Sequence, residues 1–177
     1  MPGLPGHRHV LWHAAAAQGL GRPGALRELR PHPGPGLKTL RLYTDGASRN
    51  NPGPAGAGVV IEDEHGVRLR GLHRWLGRRT NNEAEYMALI EGLKAVADWK
   101  PDRLEVFLDS KLVAEQVQGR YKVKKPELVP FHAEAKALLE AFPEVVISHV
   151  EREKNKGADA LANMAIDEHV KKSGAPG

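Results

Sequence analysis

From residue 37 onward, apolar and polar positions recur with two different periods, and these divide the chain into strands and helices. Residues 40–45 set Leu40, Leu42 and Thr44 against Arg41, Tyr43 and Asp45, the period of two expected of a half-buried strand. Asn51-Pro52-Gly53-Pro54 then turns the chain, and residues 58–63 and 67–76 read as two more strands around a His65-Gly66 hairpin turn. An antiparallel meander is expected. Residues 80–98 switch to the helical period behind Thr80 and Glu83, the spacing of a capping box. Residues 103–109 form the next strand, and a short helix runs from 110 to about 118 before Gly119. A helix over 127–142, a strand over 145–150 and a helix over 157–170 complete the order. That order predicts an α/β layered sheet, antiparallel at one side and parallel beyond it.

The first 36 residues have another texture. They hold six of the 13 prolines and seven of the 19 glycines, and the run Pro-His-Pro-Gly-Pro-Gly at 31–36 sustains neither helix nor sheet. We expect a disordered Pro/Gly/Arg-rich extension over 1–36, a folded body over 37–171 and a flexible tail over 172–177. The apolar stretch 10–17 is broken by Trp12-His13 and lacks a charged start, so it does not read as a signal peptide. The segment is Arg-rich and acid-poor like a transit peptide, yet it contains no serine.

Composition narrows the chemistry. The 177 residues include no cysteine, which excludes disulfides, a thiol nucleophile and Cys-ligated zinc, and fits a reducing compartment; a cytoplasmic monomer is expected. No apolar run approaches the roughly 20 residues that span a bilayer, so no membrane partner is expected. The net charge of +4 comes mostly from Arg8, Arg22, Arg27 and Arg30 against Glu28 in the extension. Bulk charge alone does not hold a polyanion on the body.

The acids say more. Asp45 closes the first expected strand and Asp109 the fourth, and ligands of open α/β sheets gather at the carboxyl ends of strands. If these strands are parallel partners, about 4.8 Å apart, the two carboxylates sit side by side and repel unless a cation lies between them. Aspartate also ends strands merely as a turn residue, and either one alone is open to that reading. At about 100° per residue, Glu85 shares the sheet-facing stripe with Ala88, Leu89, Gly92 and Val96, whereas Glu83 projects to the opposite side. A carboxylate on that stripe is costly to bury without a partner. Asp159 lines up with Ala162, Asn163 and Ile166 on the last helix, although an acid in a first turn also gains from the helix dipole. Four oxygen donors suit Mg²⁺ or Mn²⁺ better than zinc, and two such ions about 3.5–4 Å apart support in-line phosphoryl displacement.

Four blocks now stand in order: TDGASRNNPGPAG at 44–56, Thr80-Asn81-Asn82-Glu83-Ala84-Glu85, Leu108-Asp109-Ser110-Lys111, and NKGADALAN at 155–163. Together they closely resemble type 1 ribonuclease H. The resemblance implies a ribonuclease H-like catalytic domain, a five-stranded mixed sheet flanked by helices. It also implies hydrolysis of the RNA strand of RNA–DNA hybrids, giving 5′-phosphate and 3′-hydroxyl ends with two Mg²⁺ ions, or Mn²⁺. By position, Asp45, Glu85, Asp109 and Asp159 correspond to the family's metal-binding acids, with Asp45 shared by both ions. Gly46, Ser48, Asn51, Asn81 and Glu85 correspond to positions that approach the hybrid's minor groove, where 2′-hydroxyls mark RNA. Thr80 and Asn81 match positions that hold a DNA-strand phosphate.

Two departures from the family pattern are visible. In place of the basic, tryptophan-rich protrusion of many bacterial members the chain has only GRYKVKKP at 119–126, where Arg120, Lys122, Lys124 and Lys125 are expected either to contact phosphates or to form a solvated cationic loop. The loop histidine of other members is also missing, and Arg152 is the nearest substitute as a turnover aid. The alternative to an enzyme is a non-catalytic nucleic-acid-binding module on the same fold, and a related polynucleotidyl nuclease is a third reading. His132 and His169 are expected on helix surfaces.

Overall fold

The computed structural model describes Val10–Leu11 and residues 38–174. Most of the expected extension, and residues 175–177 of the expected tail, lie outside the described residues.

The meander forms as expected: β2 (Thr39–Ser48), β3 (Gly53–Asp63) and β4 (Arg68–Arg79) are antiparallel neighbours. Both β5 (Arg103–Leu108) and β6 (Glu144–His149) run parallel to β2, giving the order β6-β5-β2-β3-β4. The two-residue strand β1 (Val10–Leu11) adds an antiparallel pair at the β6 edge, within the segment expected as an unstructured extension. Helix α1 (Asn81–Ala97) crosses β2 and β3, with α2 (Lys111–Val117) and α3 (Val129–Leu139) beside it, while α4 (Lys156–Ser173) packs over β3, β2 and β4.

The alternation in β2 sends Leu40, Leu42 and Thr44 into the core and leaves Arg41 and Tyr43 half-buried. Leu89 and Leu93 of α1 share one core with Leu104 and Leu108 of β5, and each such leucine, at 0% exposure, contributes about 1.5–3 kcal/mol. Gly92 permits the close approach of α1, because a Cβ there would fall 2.7 Å from Thr44 Cγ2. Thr80 and Glu83 complete the expected capping box. On the other face, Ala158 and Ala162 of α4 are fully buried.

Several boundaries differ from the pattern. The strand holding Asp45 continues to Ser48, because β3 begins at Gly53 and keeps pairing with it to Ser48↔Ala55. The helix expected over 127–142 is shorter: a 3-10 turn at Pro126–Leu128 precedes α3. Helix α4 runs to Ser173, into the expected tail, and ends at Gly174 with φ of 64°.

Candidate active site

The parallel ladder between β2 and β5 stops at Thr44↔Leu108, so the next residue on each strand is an aspartate. Asp45 therefore lies mid-strand with respect to β3, opposite Gly58, but at the end of its pairing with β5. Glu85 arrives from the first turns of α1. Gly46 lets it come close: a Cβ at that position would lie 2.1 Å from the Ala84 carbonyl carbon, and the Gly46 backbone favours the charged form of the Glu85 carboxylate. One carboxylate oxygen from each of Asp45, Glu85 and Asp109 lies within 4.8 Å of the others.

Burial makes this arrangement costly for anions. Asp45 is pushed up to about 7, first by burial and then by the neighbouring Asp109 charge. Glu85 is held well above the usual carboxylate range, again by burial first and then by Asp45 and Asp109. Its Oε2 is buried without a hydrogen-bond partner. Converging carboxylates with an orphaned oxygen fit a hard divalent cation, which would relieve their repulsion and occupy the free lone pair.

Asp159 stands slightly apart. It is half-buried in the first turn of α4 and outside the three-carboxylate group, but its side chain is in hydrogen-bonding reach of Asp45. Arg152 reaches it at 3.4 Å, and Asn163 Nδ2 donates to its carbonyl at 3.0 Å. Asn155 fixes the start of α4 from below. Buried at 1% exposure, it donates from Nδ2 to the Thr44 carbonyl at 2.9 Å, directly before Asp45. Sequence reasoning missed this role, since an Asn ahead of a helix reads as a cap, and Asn155 makes no capping bond.

The expected substrate residues fall into two groups. Asn51 Oδ1 accepts from the Asn81 backbone N–H at 3.1 Å, tying the 49–52 loop to the start of α1. Ser48 Oγ donates within the same rim, to the Arg79 carbonyl at 2.7 Å or to the Asn50 carbonyl. Thr80 Oγ1 accepts from the Glu83 N–H, and Gly46 is buried beneath α1. Lys122, Lys124 and Lys125 form the second group, exposed on the segment that follows α2, while Arg120 is engaged by Glu115 at 2.5 Å. The two histidines expected on surfaces have partners: His132 Nε2 lies 3.0 Å from the Gln116 carbonyl oxygen, and His169 stacks on Trp75. Among the described residues, no helix is long and apolar enough to cross a membrane.

Comparison with known proteins gives the same outline. Residues 43–165 match the family described as Reverse transcriptase-like. Ribonuclease HI of Halobacterium salinarum is 44% identical over 130 residues, 73% of this chain and 65% of that protein. The crystal structure of RNase H1 from that organism has a TM-score of 0.71 at 43% identity, covering 73% of this chain and 98% of that one. A bifunctional protein of Mycobacterium tuberculosis is 43% identical over 127 residues, 71% of this chain and 35% of the relative. The chain thus spans 65% and 35% of the lengths of these two curated relatives. The crystal structure of LC11-RNase H1 in complex with RNA/DNA hybrid has a TM-score of 0.70 at 44% identity, covering 74% of this chain and 99% of that one. Sequence and fold agree over the same stretch, and the chain belongs to the type 1 ribonuclease H family.

Proposed function

We propose that this chain is a metal-dependent endoribonuclease that hydrolyses the RNA strand of RNA–DNA hybrids, leaving 5′-phosphate and 3′-hydroxyl ends. The observation that carries the reading is the meeting of Asp45, Glu85 and Asp109 within 4.8 Å, in a chain of this family. Two divalent cations, Mg²⁺ or Mn²⁺, when bound would supply the Lewis acidity that makes a water nucleophilic and neutralises the leaving oxygen. Asp45 is the ligand suited to sharing between them, because Glu85, Asp109 and Asp159 all act on its carboxyl group. Glu85 is set by the close packing of the start of α1 on Gly46, and Asp109 by its position just past the end of β5. Asp159 completes the set from α4. Arg152, whose charge is favoured by Asp159 and then by Asp45, would serve as the turnover aid, since a guanidinium can draw off a phosphate product.

The hybrid would lie across the rim formed by Gly46, Ser48, Asn51, Thr80 and Asn81. There the Asn51 amide N–H groups and the Asn81 side chain can read a 2′-hydroxyl, and Thr80 can meet a phosphate. Lys122, Lys124 and Lys125 would neutralise further phosphates. All four acids come from one chain, which supports a working monomer, and the absence of cysteine supports a cytoplasmic setting. The intact acid set weighs against a non-catalytic binding module. Incubation with Mg²⁺ and labelled hybrid, RNA duplex and DNA duplex tests the reading. Cleavage of the hybrid alone is expected; binding without cleavage, or cleavage of the DNA duplex, would overturn it.

A further inference from the structure

One buried polar side chain outside the acid cluster has no part in the chemistry above. Gln116 of α2 is 3% exposed and engaged at both ends of its amide. Its Oε1 accepts from the Tyr86 hydroxyl at 2.6 Å, and its Nε2 donates to the Lys122 carbonyl at 3.3 Å. His132 Nε2 lies 3.0 Å from the Gln116 carbonyl oxygen, and its ring meets Tyr86 edge-on. Tyr86 follows Glu85 on α1, and α2 begins two residues after Asp109, so this amide joins two acid-bearing parts of the fold to the segment carrying the lysines.

That segment is held along its length. The Arg120 and Tyr121 N–H groups donate to the Glu115 carbonyl, and the Leu128 N–H donates to the Lys125 carbonyl. Val123 packs against the core while Lys122 and Lys124, on either side of it, are exposed. Among the described residues Lys122, Lys124 and Lys125 show no ion pair, in contrast to Arg120. Three unpaired cations on an anchored backbone form a preorganised surface for a polyanion, with the ordering cost met in folding rather than in binding.

We infer that Gln116 is a positioning residue for the bound hybrid: it holds Lys122, Lys124 and Lys125 at a fixed place relative to the acids, so that they meet backbone phosphates. The inference rests on the hybrid-cleavage reading. Gln116 then governs affinity and its salt dependence, while the chemical step is left to the acids.

The test uses the full chain carrying Gln116→Met together with Tyr86→Phe, which removes amide and hydroxyl at once, so that neither is left as a buried orphan. KM for labelled hybrid should rise about threefold to tenfold with kcat within about twofold, and the slope of log(kcat/KM) against log salt should shrink by about 1. A merely structural role would lower Tm and leave that slope alone. A second variant, Lys122→Ala with Lys124→Ala and Lys125→Ala, is measured beside it. If the lysine variant loses salt dependence and the Gln116 variant does not, the inference is overturned. If neither changes, the segment does not face the hybrid and the inference again falls, while hybrid cleavage by the unmodified protein keeps the enzymatic reading. No hybrid cleavage by the unmodified protein would remove both.

Discussion

Asp45 shows how one side chain carries the cost of the site. Burial, and then the Asp109 charge, push its carboxyl group up to about 7 in the folded protein, against about 3.9 in an unfolded chain. Between these values the folded state binds more protons, so stability falls as pH rises through the window and the contribution is lost above about 7. Glu85 is shifted in the same direction. In chelator, the unsubstituted protein should therefore lose more Tm between pH 5 and pH 8 than Asp45→Asn does, with each kcal/mol worth about 2–4 °C. Added Mg²⁺ should recover the loss at pH 8, since binding a cation to the ionised carboxylates stabilises the folded state. Identical pH profiles for the two proteins in calorimetry would mean that Asp45 is not the strained group described.

At the scale of elements, each acid is delivered by a different device. The end of the β2–β5 ladder places Asp45 beside Asp109, and a capping box together with Gly46 sets the start of α1 and hence Glu85. Helix α4 relies on Asn155, whose bond to the Thr44 carbonyl ties the helix to the strand immediately ahead of Asp45. Asn155→Ala should cost about 1–3 kcal/mol of stability, because a buried carbonyl loses its donor. It should also lower kcat by about 10- to 100-fold through a displaced Asp159, as expected for a residue that orients a ligand, with KM little changed. Stability lost with kcat intact would show that α4 reaches its place without this bond.

Across the whole molecule, the fold gathers acids from positions 45, 85, 109 and 159, and the sequence revealed this unevenly. Glu85 was legible because a carboxylate on an apolar helical stripe is visible from periodicity alone, and the meander was legible from its turns. The passage of β2 beyond Asp45 was hidden, since Asn51-Pro52-Gly53-Pro54 looks like a break although β3 starts at Gly53 and pairs with β2 from Ala55. Asn155, Gln116 and His132 were illegible for a different reason. The Thr44 carbonyl lies 111 residues from Asn155, the Tyr86 hydroxyl 30 from Gln116 and the Gln116 carbonyl 16 from His132, and no local pattern specifies these pairings. The pairing of Val10–Leu11 with β6 is likewise a long-range event that the Pro/Gly-rich composition around it conceals. The most direct measurement of the central claim is single-turnover cleavage of a labelled RNA–DNA hybrid in Mg²⁺ by the unmodified chain and by Asp45→Asn. Cutting of the RNA strand, slowed at least about 100-fold in a folded Asp45→Asn protein, is the predicted result. Equal rates in the two proteins would contradict it.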